Sequence, residues 1–151
     1  MQTHPIRSAS LAHSEVGTQR RVLLAEDDEA FRQLLQAYLK RQGYAVESVS
    51  NGAELMAALT ELLIDGETRF DALVSDICMP TWSGVQVLNG LRCAGCTLPV
   101  ILITACRDQE AALLATELGA RLLLKPFELG ELARALESLG NTSHGVGSPP
   151  I

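Results

Sequence analysis

Three carboxylates and one amine follow short apolar runs in this sequence. Glu26 and Asp27 come after Val22-Leu23-Leu24-Ala25, Asp76 after Ala72-Leu73-Val74-Ser75, and Lys125 after Leu122-Leu123-Leu124. Each run has the length and composition of a buried strand. If the runs lie side by side in one parallel sheet, their carboxyl ends deliver the four side chains to one crevice, where open α/β sheets bind ligands. Clustered carboxylates repel one another, and burying them uncompensated raises their pKa values until one becomes neutral. A divalent cation removes that conflict. Magnesium prefers hard oxygen ligands and takes one or two carboxylates, several waters and a phosphate oxygen, an arrangement that Glu26, Asp27 and Asp76 fit. An aspartate beside such an ion can attack phosphorus and form an aspartyl phosphate, while metal and lysine offset charge on the phosphoryl oxygens. A hydroxyl at the end of a neighbouring strand completes the set, and Thr104 is placed for it.

The elements that must position these groups are legible as an alternation of strand-like and helix-like segments, the pattern of βα repeats on a parallel sheet. Phe31, Leu34, Leu35, Tyr38 and Leu39 recur at helical spacing, with Asp28 placed to cap the helix start and Gly43 to close its end. A strand is expected over residues 44–49, followed after Asn51-Gly52 by a helix carrying Leu55, Met56, Leu59, Leu62 and Leu63. The strand over residues 71–76 leads past Pro80 and Gly84 into a short helix with Val85, Leu88 and Leu91. Residues 99–104 form a near-continuous apolar run, as in a strand covered on both faces. A helix over residues 108–118, stopped by Gly119, precedes the strand that ends at Lys125. Leu129, Leu132, Leu136 and Leu139 then line the last helix.

Length and composition narrow the function. A chain of 151 residues suffices for one domain with a substantial core. With 47% hydrophobic and 20% charged residues it is globular rather than disordered. The net charge of -6, with Lys40 and Lys125 the only lysines, argues against direct nucleic-acid binding, which draws its affinity largely from Lys and Arg. No apolar stretch reaches the roughly 18 to 20 residues needed to cross a bilayer, and the N-terminus lacks a secretory apolar run, so a soluble cytoplasmic protein without membrane insertion is expected. Cys93 and Cys96 form a CxxC, but with no second ligand pair they read as small loop residues rather than a zinc site. Residues 1–20 and 140–151 read as flexible tails around a domain at 21–139. His4, His13 and His144 all fall in those tails, which sets aside Ser-His and zinc-hydrolase chemistry.

In these motifs the chain resembles the receiver domain of two-component response regulators. The resemblance runs from about Arg21 to Leu139 and its parts occur in order: Val-Leu-Leu-Ala-Glu26-Asp27-Asp28, Asp76-Ile77-Cys78-Met79-Pro80 with Gly84, Ile103-Thr104-Ala105, and Lys125-Pro126-Phe127. It implies an α/β fold with a five-stranded parallel sheet and helices on both faces, the flavodoxin-like (βα)5 receiver. It also implies phosphoryl transfer onto Asp76 from a sensor histidine kinase or histidine phosphotransfer protein. Glu26 and Asp27 match the acid pair that holds magnesium, the backbone carbonyl of Cys78 matches a main-chain metal ligand, and Thr104 and Lys125 match the hydroxyl and amine that contact the phosphoryl group. Asp28 falls one place beyond the acid pair and is expected to be a helix cap. Lys125-Pro126 is expected to be cis. The implied output is binding of a downstream protein through the fourth helix, fifth strand and fifth helix, without an attached effector domain; whether two copies also pair is left open by the sequence. Such a protein is a phosphoacceptor switch and not a turnover enzyme.

Two positions depart from the family's pattern or leave it open. A switch aromatic usually stands three residues before the lysine; here that position is Leu122, which is either a switch partner of Thr104 without ring or hydroxyl, or an apolar residue of the partner-binding face. The variable positions two residues after Asp76 and Thr104 are both cysteine, Cys78 and Cys106, read as small side chains with an oxidisable thiol pair as the sharper reading. Trp82, the only tryptophan, is expected on the loop bordering the metal site. Rival functions fit less well. A flavin phosphate would be repelled by Glu26-Asp27-Asp28, and a haloacid-dehalogenase-type phosphatase needs an aspartate at position 78. A receiver-like docking module acting without phosphorylation is the remaining alternative.

Overall fold

A parallel sheet organises the chain because its inner strands are apolar on both sides and must be covered twice. The computed structural model describes residues 19–65, 69–105 and 109–145. The elements alternate as β1 (Arg21–Ala25), α1 (Glu29–Arg41), β2 (Ala45–Val49), α2 (Gly52–Asp65), β3 (Ala72–Asp76), α3 (Gly84–Cys93), β4 (Val100–Thr104), α4 (Gln109–Glu117), β5 (Arg121–Leu124) and α5 (Leu129–Gly145). The strand order is β2-β1-β3-β4-β5, all neighbours parallel. The βα alternation read from the sequence is present, in the flavodoxin-like (βα)5 arrangement that the resemblance implied.

Strand periodicity divides the core into two halves. Val22, Leu24, Val74, Ile101 and Ile103 point to one side, where Leu35 and Leu39 of α1 and Leu132 and Leu136 of α5 cover them. Leu23, Leu73, Val100 and Leu102 point to the other, against α2, α3 and α4 through Leu55, Leu59, Val87, Leu88, Leu91 and Ala115. The central strands β3 and β4 are buried throughout. β2 and β5 form the sheet's edges.

Helix boundaries follow local chemistry. The Asp28 carboxylate accepts from the Phe31 N–H at 3.1 Å, making it the N-cap of α1, and Gly43 takes a φ of 99° just beyond the helix end. Ser83 caps α3 in a reciprocal capping box with Gln86. Within the apolar stripes two expected core residues lie outside: Leu34 is 51% and Leu63 41% exposed, because each sits at the border of a stripe whose centre, Leu35 or Leu62, reaches the sheet. α5 also runs past the boundary expected at Leu139, to Gly145, and so takes in His144. Gly140 lowers helix propensity by only about 1 kcal/mol relative to alanine and does not stop propagation as proline does. Of the tails expected at 1–20 and 140–151, residues 1–18 and 146–151 lie outside the described residues, as do Cys106 and Asp108. No helix among the described residues is long and apolar enough to cross a membrane.

Candidate functional site

Register carries the acidic residues to one end of the sheet. Ala25 pairs with Ser75 and Asp76 with Ile103, so Glu26 and Asp27 leave β1 beside the last residue of β3, and Thr104 stands one step beyond the partner of Asp76. Leu124 pairs with Thr104, and the Lys125 N–H donates to the Thr104 carbonyl at 2.8 Å, which brings the lysine into the same row.

The side chains converge as the strand-end placement requires. Carboxylate oxygens of Glu26, Asp27 and Asp76 all lie within 4.8 Å of one another. Glu26 and Asp76 are buried, and Asp27 is exposed. Lys125 Nζ donates to Asp76 Oδ2 at 2.9 Å and lies 3.6 Å from Glu26 Oε1. The other Asp76 oxygen, Oδ1, accepts from the Cys78 N–H at 2.9 Å, and Glu26 Oε2 accepts from the Asp28 N–H at 3.1 Å. Arg32, one turn into α1, donates to the Glu26 carbonyl at 2.9 Å and ties the β1–α1 loop to its helix.

Glu26 Oε1 is buried and has no hydrogen-bond partner. Such an atom is costly to leave unmatched. Burial pushes the Glu26 carboxyl up to about 7, reinforced by the charge of Asp76 and countered by the Asp28 N–H and Lys125. The Lys125 ammonium is pulled down by its own burial, but Asp76 and Glu26 more than offset this and hold it above its ordinary value. Oxygen ligands, a buried carboxylate oxygen without a hydrogen bond and acid repulsion that Lys125 relieves only in part together fit a hard divalent cation such as magnesium. The structure thus brings Glu26, Asp27, Asp76, Thr104 and Lys125 to one place.

The loop between β3 and α3 frames the site. Gly84 donates its N–H to the Ile77 carbonyl at 2.9 Å, and a Cβ there would stand 2.7 Å from the Asp76 carbonyl oxygen. A Cβ on Gly52 would stand 2.5 Å from the Trp82 carbonyl oxygen, so the loop leans on the start of α2. Between these contacts Thr81 takes a φ of 78°, a left-handed conformation that β-branched residues rarely adopt. Nothing in its residue type signalled this. Trp82 is 42% exposed on the loop, where it was expected, and Cys78 is exposed beside Asp76. Leu122 is half-buried and packs toward the core on the α4 side of the sheet. The Lys125-Pro126 bond is cis. Cys93 ends α3 and Cys96 follows in the turn; both are free thiols.

Comparison with known proteins agrees with this geometry. The family model for the response regulator receiver domain matches residues 22–137. Response regulator protein PmrA of Pseudomonas aeruginosa is 39% identical over 133 residues, covering 87% of this chain and 57% of that protein. Transcriptional regulatory protein GltR of the same species is 34% identical over 124 residues, covering 80% and 48%. The chain therefore spans about half the length of these curated relatives. Among solved structures, chemotaxis response regulator CheY4 of Vibrio cholerae superposes with a TM-score of 0.69 at 27% identity, covering 81% of this chain and 99% of that one. Response regulator protein TrrA of Thermotoga maritima, in complex with Mg(2+)-BeF, gives 0.69 at 26% identity, covering 80% and 99%. With the acid cluster, the lysine and the sheet order already in place, this chain belongs to the response regulator receiver domain family.

Proposed function

We propose that the chain is a phosphorylation-dependent signalling switch that accepts a phosphoryl group on Asp76 from a histidine kinase or histidine phosphotransfer protein. The observation that carries the reading is the Lys125 ammonium 2.9 Å from the Asp76 carboxylate, in a crevice shared with two further acids. Glu26, Asp27, Asp76 and the Cys78 carbonyl would hold magnesium, which supplies charge compensation for the phosphoryl oxygens. The TrrA complex with Mg(2+)-BeF supports that assignment by likeness.

In the transfer, the phosphorus–nitrogen bond of the donor histidine breaks as a phosphorus–oxygen bond to Asp76 forms. Lys125 meets the developing negative charge and Thr104 contributes its hydroxyl. The protein acts on itself and is not a turnover enzyme. Its output is a change of binding on the face formed by α4, β5 and α5, to a downstream protein or a second copy, in the cytoplasm. Leu113, Leu114 and Leu124, exposed at 65%, 40% and 60%, give that face apolar contact area. Leu122, packed beneath it, would respond to movement of Thr104 by repacking.

The test is incubation with magnesium and acetyl phosphate, read by intact mass on the wild type and Asp76→Asn. A base-labile phosphate adduct on the wild type alone is expected. No adduct on either would favour passive docking.

A further inference from the structure

We infer that Phe31 is a positioning residue for Lys125, its aromatic face holding the ammonium where phosphoryl transfer to Asp76 needs it; the inference rests on the proposed function. Lys125 Nζ sits 4.8 Å from the centroid of the Phe31 ring while bonding Asp76 Oδ2 at 2.9 Å. Two carboxylates thus draw the ammonium from one side, and a ring face bounds it on another. Phe31 is itself braced: its ring meets Phe127 edge to face, with centroids 6.0 Å apart and planes at 64°, and its N–H is held by the Asp28 cap.

The need for such a contact follows from the surroundings of the lysine. Lys125 borders an open cavity of about 480 Å³ that Phe31 itself lines together with Asp28, Ala105, Pro126 and Phe127, and the lysine side chain is 26% exposed. A lysine stem has four rotatable carbons and its ammonium is strongly hydrated. With open space beside it, such a side chain has room for rotamers that would carry its ammonium away from Asp76. The negative face of an aromatic ring attracts the ammonium without competing for its N–H donors. That attraction persists when charge at Asp76 is redistributed by a phosphoryl group, so the amine remains poised as its acceptor changes. An aliphatic residue at position 31 would fill the same space and lack the attraction.

The full chain and its Phe31→Leu, Phe31→Met and Phe31→Tyr variants test this with magnesium and acetyl phosphate. In that reaction the phosphorus–oxygen bond to acetate breaks as the bond to Asp76 forms, and acetate leaves with the electron pair. Leucine and methionine are expected to lower the saturating rate about three- to tenfold, with magnesium affinity and donor half-saturation changed less than twofold. Tyrosine is expected to stay within about twofold of the wild type. By NMR, the ε-methylene protons of Lys125 should show an upfield ring-current shift in the wild type and the tyrosine variant, lost with leucine or methionine. Wild-type rates in the aliphatic variants, a tyrosine variant as slow as leucine, or unchanged methylene shifts would each overturn the inference alone. A wild type that takes up no phosphoryl group would overturn the proposed function and this inference with it.

Discussion

A buried carboxyl that lacks a full set of partners gains protons on folding, and Glu26 is the case in this chain. Its pKa rises from 4.5 to about 7, chiefly through burial. Below about pH 4.5 the group is protonated folded or unfolded. As pH rises from there toward 7 the unfolded chain releases the proton first, so stability present at low pH is lost through this window. The loss is on the order of 3 kcal/mol for a shift of this size. We predict that Glu26→Gln, in the absence of magnesium, is more stable than the wild type at pH 7.5 and near-equal at pH 4.5. Urea midpoints at both pH values check this, and a wild-type advantage at pH 7.5 would contradict it. In millimolar magnesium the gap should shrink or reverse, because the cation favours the ionised carboxylate that the glutamine lacks. Thr81 is a second local tension, a β-branched residue in a left-handed turn beside the site.

The β3–α3 connection determines how those residues are presented. Its turn brings the start of α3 against the end of β3 so closely that Gly84 faces the Asp76 carbonyl and Leu102 without room for a Cβ. The expected outcome of Gly84→Ala is a shift of the Asp76 backbone, with a destabilisation of about 1–3 kcal/mol and a loss of acetyl-phosphate labelling larger than stability alone explains. Comparing labelling rates at a temperature where both proteins are fully folded separates the two effects; equal rates would refute the packing argument. On α3, Arg92 donates to the carbonyls of Cys96, Leu98 and Leu118, fixing the far end of α4 to its neighbour.

Across the molecule, a sheet covered by α1 and α5 on one side and α2, α3 and α4 on the other leaves one crevice at its carboxyl end and an apolar surface along α4 and β5. Trp82 stands between the crevice and α2 and is the chain's only tryptophan, so it reports on that region without interference. We predict that its fluorescence changes on titration with magnesium and that the change is absent in Asp27→Asn/Asp76→Asn. A flat wild-type titration would argue against the loop's coupling to the metal site.

Residue order alone was enough for the βα alternation, the strand ends and the meeting of three acids and a lysine at one end of the sheet, because hydrophobic period and strand-terminal acids are local signals. Asp28 was legible as a cap for the same reason. The sequence did not show that Leu34 and Leu63 stay outside, since a stripe's edge is defined only by the sheet it meets. Nor did it show that α5 passes Gly140, that Thr81 turns left-handed, or that Phe31 lies beneath Lys125. These depend on distances between segments remote in sequence, which only the packed chain sets. Conjunction is the property that no single segment encodes: the raised proton affinity of Glu26 comes from dry surroundings, and only folding removes the water.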